Sequence, residues 1–249
     1  MSDEPGSAMH IHQSLEDAEG RNLFGTSEGG NSEQFMHFIA GLQKYTPAVT
    51  ALLAPNVNSY RRLTFGESAP RNVQWGVENR TCGLRVPFSE PSARRVENRF
   101  AGADANPYLA IASQLVAGLD GLRRRLEPPP LTTDPYRAEA GGLLPRSLGE
   151  ALSLLRAETD LHTVLGKEFV TVYTEVKEIE YAEKLFKENR RWPVFNVTER
   201  ALEETASSIS LRSGLSSNCS LRRNIVSSSI IERRGRDEQR CFWARGKWR

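Results

Sequence analysis

The sequence predicts an α+β fold for residues 1–190, and three observations support that prediction. Residues 9–15 alternate between apolar and polar side chains, as a half-buried strand does. Several other stretches place apolar residues at the 3.6-residue period of an amphipathic helix. Between these stretches, residues 56–100 are rich in arginine and have the pattern of short strands and loops. We therefore expect antiparallel strands with helices packed against them.

The composition excludes several classes of protein. The chain has 249 residues, of which 39% are hydrophobic and 26% are charged, as in an ordinary globular protein. No apolar run approaches the roughly 20 residues that span a bilayer, and the acidic start lacks the apolar stretch of a secretory signal. Cys82, Cys219 and Cys241 are too few and too scattered for a disulfide scaffold or a CxxC zinc site. We expect a cytoplasmic protein.

The strand at residues 9–15 has two chemically different faces. A period of two places Met9, Ile11, Gln13 and Leu15 on one side. The same period places His10, His12 and Ser14 together on the other side. A glycine-rich turn at residues 25–31 separates this strand from the first helix.

The first predicted helix begins after Ser32 and continues along one apolar stripe. That stripe consists of Phe35, Phe38, Ile39, Leu42 and Tyr45. Pro47 is expected to interrupt the helix, because an internal proline removes a hydrogen bond and clashes with the preceding turn. A shorter apolar helix then continues to Leu53.

The second predicted helix has a strong start signal. Asn106 is a favoured N-cap and Pro107 suits the first helical position. The helix runs to about Leu126, and its large apolar residues are expected to face the core. These residues are Tyr108, Leu109, Ala112, Leu115, Val116 and Leu119. Three consecutive prolines then predict an extended linker over residues 127–146.

Two more helices are predicted after the linker. Ser147 and Glu150 form a capping box for a helix that ends near Arg156. A long helix fits residues 167–187 with one apolar stripe. The members of that stripe are Phe169, Val172, Tyr173, Val176 and Ile179.

Residues 191–249 differ in composition from the rest of the chain. They contain 12 Lys and Arg against 6 Asp and Glu, together with 10 serines, and their apolar residues follow no sustained period. We predict a domain at residues 1–190 followed by a basic, serine-rich tail that is unstructured or aberrant. A nucleic-acid-binding tail is the alternative, although the acidic residues dilute its charge.

The pattern HIHQS at residues 10–14 is the first candidate site. On a strand both imidazoles lie on one face, where they could bind Zn, Mn or Mg if a carboxylate joined them. The structural alternative is a pair of strand histidines that hydrogen-bond to their neighbours. Glu97 is a candidate partner, because it lies between Arg95 and Arg99 on one strand face and would stay ionised there.

Arginine is concentrated between Arg61 and Arg99. Eight arginines and no lysine occur in these 39 residues: Arg61, Arg62, Arg71, Arg80, Arg85, Arg94, Arg95 and Arg99. Because the planar guanidinium makes paired bonds to carboxylate and phosphate, this density favours an anionic substrate or nucleotide phosphates over a nucleic-acid groove. Arg80 and Arg85 differ in parity, so they can face one site only if a bulge or loop separates them. Together these features indicate ATP-dependent group transfer.

Five motifs in series resemble the C-terminal half of the glutamine synthetase catalytic domain. Residues 6–15 (GSAMHIHQSL) are similar to the family's GSxMHxHxSL segment, and residues 58–63 (NSYRRL) are similar to its NSYKRL. The segments NRTCGLRVP at 79–87, RVENR at 95–99 and ANPYLA at 105–110 follow in the expected order. The resemblance covers roughly residues 4–185.

The resemblance implies a role for each matched residue. His10 and Glu97 would bind the second divalent ion, Mg or Mn. Arg62 and Arg99 would hold glutamate. The ATP site would include His12, Ser14, Arg80, Arg85 and Arg95, with Arg80 also assisting catalysis. The family transfers a phosphoryl group from ATP to the glutamate side-chain carboxylate, and ammonia or an amine then displaces phosphate.

Departures from the family pattern bear on the acceptor. Glutamine synthetases carry a Glu in an RLVPGxEAP loop that binds ammonium, whereas residues 62–70 (RLTFGESAP) have Ser68 there and Glu67 one place early. Together with NVQWG at 72–76, this resembles the γ-glutamylpolyamine synthetase branch. The hypothesis is therefore a glutamate–amine ligase that uses an organic amine.

The resemblance also raises the question of whether this chain is catalytically active. The family's glutamates for the first metal have no counterpart before His10, so we expect a fragment without significant turnover by itself, from a homo-oligomeric family. A non-catalytic relative that keeps only the fold or assembly surfaces is the alternative function. Glutamate, ATP and the amine are the expected partners, and a membrane is not.

Overall fold

The computed structural model describes residues 6–65, 69–133 and 143–189. It confirms the α+β class. The predicted tail at 191–249 lies outside the described residues, as do part of the predicted linker and the positions Glu67 and Ser68. Thus the division into a domain and a tail stays a prediction.

Four strands and six α-helices form the described part of the chain. The strands are β1 (Ile11–Gln13), β2 (Trp75–Val77), β3 (Leu84–Val86) and β4 (Val96–Asn98). The helices are α1 (Glu33–Leu53), α2 (Ser59–Phe65), α3 (Pro107–Arg124), α4 (Leu148–Ala157), α5 (Thr159–Leu165) and α6 (Lys167–Asn189). A short 3₁₀ helix at Pro91–Ala93 precedes β4.

The sheet has the strand order β1-β4-β3-β2. The β1/β4 and β4/β3 pairs are antiparallel, as predicted, but β2 and β3 are parallel. A parallel pair normally needs a long crossover. Here both strands are only three residues long, so the short loop between Val77 and Leu84 suffices to return the chain to the start of the next strand.

The sheet register defines two faces at its centre. Glu97 is paired with His12 of β1 on one side and with Arg85 of β3 on the other. The neighbouring positions Val96 and Asn98 point the opposite way and are fully buried. One face therefore packs against the helices, and the other carries the charged side chains.

Helix α1 forms the centre of the core, and it corrects the prediction that Pro47 interrupts it. The helix runs unbroken from Glu33 to Leu53, and Ser32 caps it as predicted, with its hydroxyl accepting from the Phe35 N–H. Most of its side chains are buried, and they lie on all sides of the helix. Packing all around the helix holds the proline in place, because tertiary contacts outweigh a local helix-breaking preference.

The buried side of α3 is the opposite of the one predicted. Asn106 caps the helix as expected, with its side chain accepting from the Tyr108 and Leu109 N–H groups. However, the large apolar residues face outward: Tyr108 is 83% exposed and Leu119 is 49% exposed. The small residues pack against α1 instead, because a Cβ on Gly41 would lie 2.2 Å from the Ala117 carbonyl oxygen.

The last three helices pack on one side of α1. The predicted Ser147 cap of α4 is confirmed, since the Glu150 N–H donates to the Ser147 hydroxyl at 3.2 Å. The Glu150 carboxylate accepts from the Arg146 N–H at 2.8 Å, one residue before the cap, so the reciprocal bond of a capping box is shifted by one residue. In α6 the predicted apolar stripe is partly wrong, because Val172, Val176 and Ile179 are exposed whereas Val170 and Thr174 are buried. Among the described helices, none is long and apolar enough to cross a membrane.

Candidate functional site

The antiparallel pair β1/β4 brings His10 and Glu97 together. His10 Nδ1 lies 2.9 Å from Glu97 Oε1. The register places His10 across from Arg99, so Glu97 reaches the imidazole along the diagonal of the same sheet face. The structure therefore brings His10 and Glu97 together on one face of the sheet.

Two arginines enclose the Glu97 carboxylate. Arg85 Nη1 lies 2.7 Å from Oε2, and Arg99 Nη1 lies 3.1 Å from Oε1. Glu97 is only 3% exposed. Burial by itself would raise the pKa of Glu97, but the hydrogen bond from Arg85 and the charges of Arg99 and Arg85 outweigh it, so the pKa lies below its usual value. The carboxylate is therefore ionised at neutral pH.

The environment of His10 keeps its imidazole neutral. Burial, followed by the positive charge of Arg99, lowers the pKa of His10 against the opposing effect of Glu97. A neutral imidazole has a free nitrogen lone pair, which is the form that binds a metal ion. The ring is also partly accessible, since 37% of its side chain is exposed.

Arg62 of α2 completes the inner part of the site. Its guanidinium donates to the main-chain oxygens of Phe100 and Arg99, the latter at 3.5 Å. Burial lowers the pKa of Arg62, and the nearby charge of Arg99 adds to that effect. Arg62 thus lies against the main chain at Arg99 and Phe100, close enough for its charge to interact with that of Arg99.

Four of the five predicted nucleotide residues lie farther out. Arg95 Nε lies 3.4 Å from His12 Nδ1; His12 is exposed and Arg95 is half-buried. Ser14 is exposed just beyond the end of β1. Arg80 is exposed on the loop between β2 and β3, which supplies the irregular segment that the parity of Arg80 and Arg85 requires. The structure brings Arg85 to the centre of the site and leaves Arg80, His12, Ser14 and Arg95 around its rim.

His10 and Glu97 are adjacent and carry two of the ligand types that a divalent ion accepts, an imidazole nitrogen and a carboxylate. Their 2.9 Å contact has the length of an N–H···O hydrogen bond. Within the described ranges, no cluster of three or more His, Cys, Asp or Glu side chains could hold a metal ion. The pair can therefore supply part of a metal's ligand set.

Sequence reasoning missed Glu78. Its carboxylate binds Arg85 Nη2 at 2.7 Å and accepts from the Phe88 N–H at 2.5 Å. The Arg85 hydrogen bond lowers the pKa of Glu78 most strongly, and the Phe88 N–H adds to the effect. The only signal in the sequence was an acidic residue directly before Asn79-Arg80 in an otherwise arginine-rich stretch.

A family model described as the glutamine synthetase catalytic domain matches residues 1–194. The chain belongs to the glutamine synthetase family. The match includes all the site residues described above, so the predicted family resemblance is confirmed.

The relatives have two kinds of name: some are called glutamine synthetase, and others are named for an organic amine or its glutamyl amide. A glutamine synthetase of Thermococcus kodakarensis is 40% identical over 210 residues, covering 80% of this chain and 47% of the relative. A gamma-glutamylethanolamide synthetase of Streptomyces coelicolor is 41% identical over 176 residues, covering 70% and 37%. A glutamate–isopropylamine ligase of a Pseudomonas species is 38% identical over 177 residues, covering 69% and 39%.

A solved structure described as apo GmaS without ligand matches the fold. Its TM-score is 0.64 at 32% identity, and the match covers 72% of this chain and 42% of that chain. This chain therefore spans less than half the length of the relatives that it resembles.

Proposed function

We propose that this chain carries the metal- and nucleotide-facing part of an ATP-dependent glutamate–amine ligase. The observation that supports it is the 2.9 Å pairing of His10 with Glu97 inside a ring formed by Arg62, Arg85 and Arg99. A neutral imidazole and an ionised carboxylate are suitable ligands for Mg or Mn. The guanidinium groups suit the carboxylate of glutamate and the phosphates of ATP.

In this proposal His10 and Glu97 hold the divalent ion, which would neutralise charge on the phosphoryl group being transferred. Arg85 and Arg95 bind the phosphates of ATP, with His12 and Ser14 beside them. Arg80, on its loop, stabilises the transferring phosphoryl group. Arg62 and Arg99 bind glutamate. The glutamate side-chain carboxylate takes the γ-phosphoryl group as its bond to ADP breaks. The amine then displaces phosphate from the acyl phosphate, which forms the amide and frees a proton.

We further propose an organic amine as the acceptor. Ser68 stands where glutamine synthetases carry the Glu that binds ammonium, and losing that carboxylate favours a substituted amine. A relative named glutamine synthetase and one named gamma-glutamylethanolamide synthetase have similar identities to this chain, 40% and 41%, so the proposal depends on this loop. The whole protein is proposed to be a homo-oligomer, and a cytoplasmic location stays a prediction.

Metal and nucleotide binding test the proposal without requiring turnover. Mn²⁺ is titrated into the full chain with and without ATP, and bound Mn²⁺ is followed by electron paramagnetic resonance. We expect ATP-dependent Mn²⁺ binding that Glu97→Gln and His10→Asn each weaken by about tenfold or more, as for loss of one ligand. Glu90→Gln is the matched control, because Glu90 is exposed at the start of the 3₁₀ helix.

Two results would contradict the proposal. Equal Mn²⁺ binding by the wild type and both ligand variants would remove the assigned metal site. No binding of Mn²⁺ or ATP by the folded wild type, with self-association retained, would favour the non-catalytic alternative.

A further inference from the structure

We propose that Glu78 is a positioning residue that fixes the guanidinium of Arg85 for binding nucleotide phosphate. This inference goes beyond the roles assigned above and rests on the proposed function for the phosphate. Arg85 is held between two carboxylates: Glu97 takes Nη1 at 2.7 Å, and Glu78 takes Nη2 at 2.7 Å.

The two carboxylates that hold Arg85 differ in burial. The Glu97 side chain is 4% exposed, and the Glu78 side chain is 36% exposed at the edge of the site. A single carboxylate on one Nη would leave the guanidinium plane free to rotate. A second carboxylate on the other Nη fixes that plane, so the remaining N–H groups keep a constant direction.

Glu78 is itself firmly anchored. Its N–H donates to the Val86 carbonyl at 3.0 Å, and its carboxylate accepts from the Phe88 N–H. Its backbone has φ +51°, a left-handed conformation that is unusual for a residue with a side chain. A conformation of this kind persists when the surrounding contacts impose it. These contacts join the residue after β2 to Val86, at the end of β3, and to Phe88 just beyond it. The Glu78 side chain contacts Arg85 from this position.

A purely structural role for Glu78 is the competing explanation, because the Phe88 contact alone would stabilise the turn. The substitution Glu78→Gln separates the two roles. The amide oxygen of Gln can still accept from the Phe88 N–H, but the NH₂ group that replaces the second oxygen is a donor and cannot bind Arg85. Glu78→Ala removes both contacts, and Glu90→Gln is the matched control at an exposed glutamate.

The experiment measures the Arg85 guanidinium by ¹⁵N NMR in the full chain, first without and then with diamagnetic Mg²⁺ and ATP. We expect the wild type to show slow rotation about the Arg85 Cζ–Nε bond, with separate Nη signals. Glu78→Gln should merge these signals and weaken ATP binding about 5- to 10-fold, whereas its Tm should match that of Glu90→Gln.

Three outcomes decide the inference. Unchanged Arg85 signals in Glu78→Gln would overturn it, and so would ATP binding equal to or tighter than that of the wild type. A drop in Tm for Glu78→Gln as large as for Glu78→Ala, with ATP affinity preserved, would assign Glu78 to the turn alone and also overturn it. If the wild type binds no ATP, the proposed function fails together with the phosphate part of this inference, while the ligand-free Arg85 signals still decide whether Glu78 holds the guanidinium.

Discussion

The two faces of the central sheet both contain buried side chains, but of different kinds. On the helix-facing side, Leu84, Val86 and Val96 are fully buried among apolar side chains. On the other side, Glu97 is almost as deeply buried and is surrounded by His10, Arg85 and Arg99. The apolar face stabilises the fold through burial, whereas a buried ion pair contributes little net stability compared with well-packed apolar residues. This difference suggests that the charged face is retained for binding.

The contact between α1 and α3 on the apolar side is the most sensitive point of the fold. A Cβ on Gly41 would lie 2.2 Å from the Ala117 carbonyl and 2.8 Å from the Gly121 Cα, and neither backbone can move aside. Gly41→Ala should therefore destabilise the chain by about 3 kcal/mol or more, enough to prevent folding of a marginally stable domain.

Urea unfolding measures this prediction, with Gly30→Ala as the control. A Cβ on Gly30 would meet only the Thr26 hydroxyl, at 3.1 Å in an exposed loop. A Gly41→Ala variant as stable as Gly30→Ala would show that the two helices do not approach each other this closely.

The cost of disrupting the charged face should depend on the substitution. Glu97→Ala leaves Arg85 and Arg99 buried without their anion, and we expect a loss of about 3–5 kcal/mol in the free energy of unfolding. Glu97→Gln keeps a hydrogen-bond acceptor and should cost less. Calorimetric unfolding of both variants measures the difference. Equal and small losses of unfolding free energy in both variants would mean that water already solvates the charges of Arg85 and Arg99.

The pH dependence of stability should separate the two faces further. The pKa of Glu97 is lowered in the folded state, so its ionised form contributes stability that is fully present above the unfolded pKa and is lost as pH falls through the lower, folded value. Relative to Glu97→Gln, the wild type should therefore keep its advantage at neutral pH and lose it below the ordinary carboxyl pKa. Unfolding free energies at pH 7 and at about pH 4, 3 and 2 test this expectation, because the loss lies between the unfolded and the lower, folded pKa. A constant difference between the two proteins over this range would contradict it.

The smallest effect is expected on the outer side of α3. Leu119 is 49% exposed, whereas Leu52 of α1 is 1% exposed. Leu119→Ser should change the unfolding free energy by no more than about 0.5 kcal/mol. The same change at Leu52 should cost about 3 kcal/mol or more. A large loss for Leu119→Ser would show that another part of the chain covers this side of the helix.

Several features of the fold could be predicted because they are local. The caps of α1, α3 and α4 each depend on hydrogen bonds within four residues, so Ser32, Asn106 and Ser147 were sufficient to predict where these helices begin. Alternation along one strand was similarly sufficient to place His10 and His12 on one face. The sequence motifs also led to Glu97 as the partner of His10.

Other features could be decided only by contacts between distant segments. Helix α1 continues through Pro47 because packing on all sides of the helix outweighs the proline's local helix-breaking effect. Helix α3 buries its glycines and exposes Leu119 because α1 approaches its backbone closely.

Glu78 reaches Arg85 because β2 and β3 pair in parallel. Sequence by itself determined where the capped helices α1, α3 and α4 begin and which side chains share a strand face, since both depend on neighbours along the chain. Tertiary structure decided which surfaces are buried and which charges meet, since both depend on residues that only folding brings together.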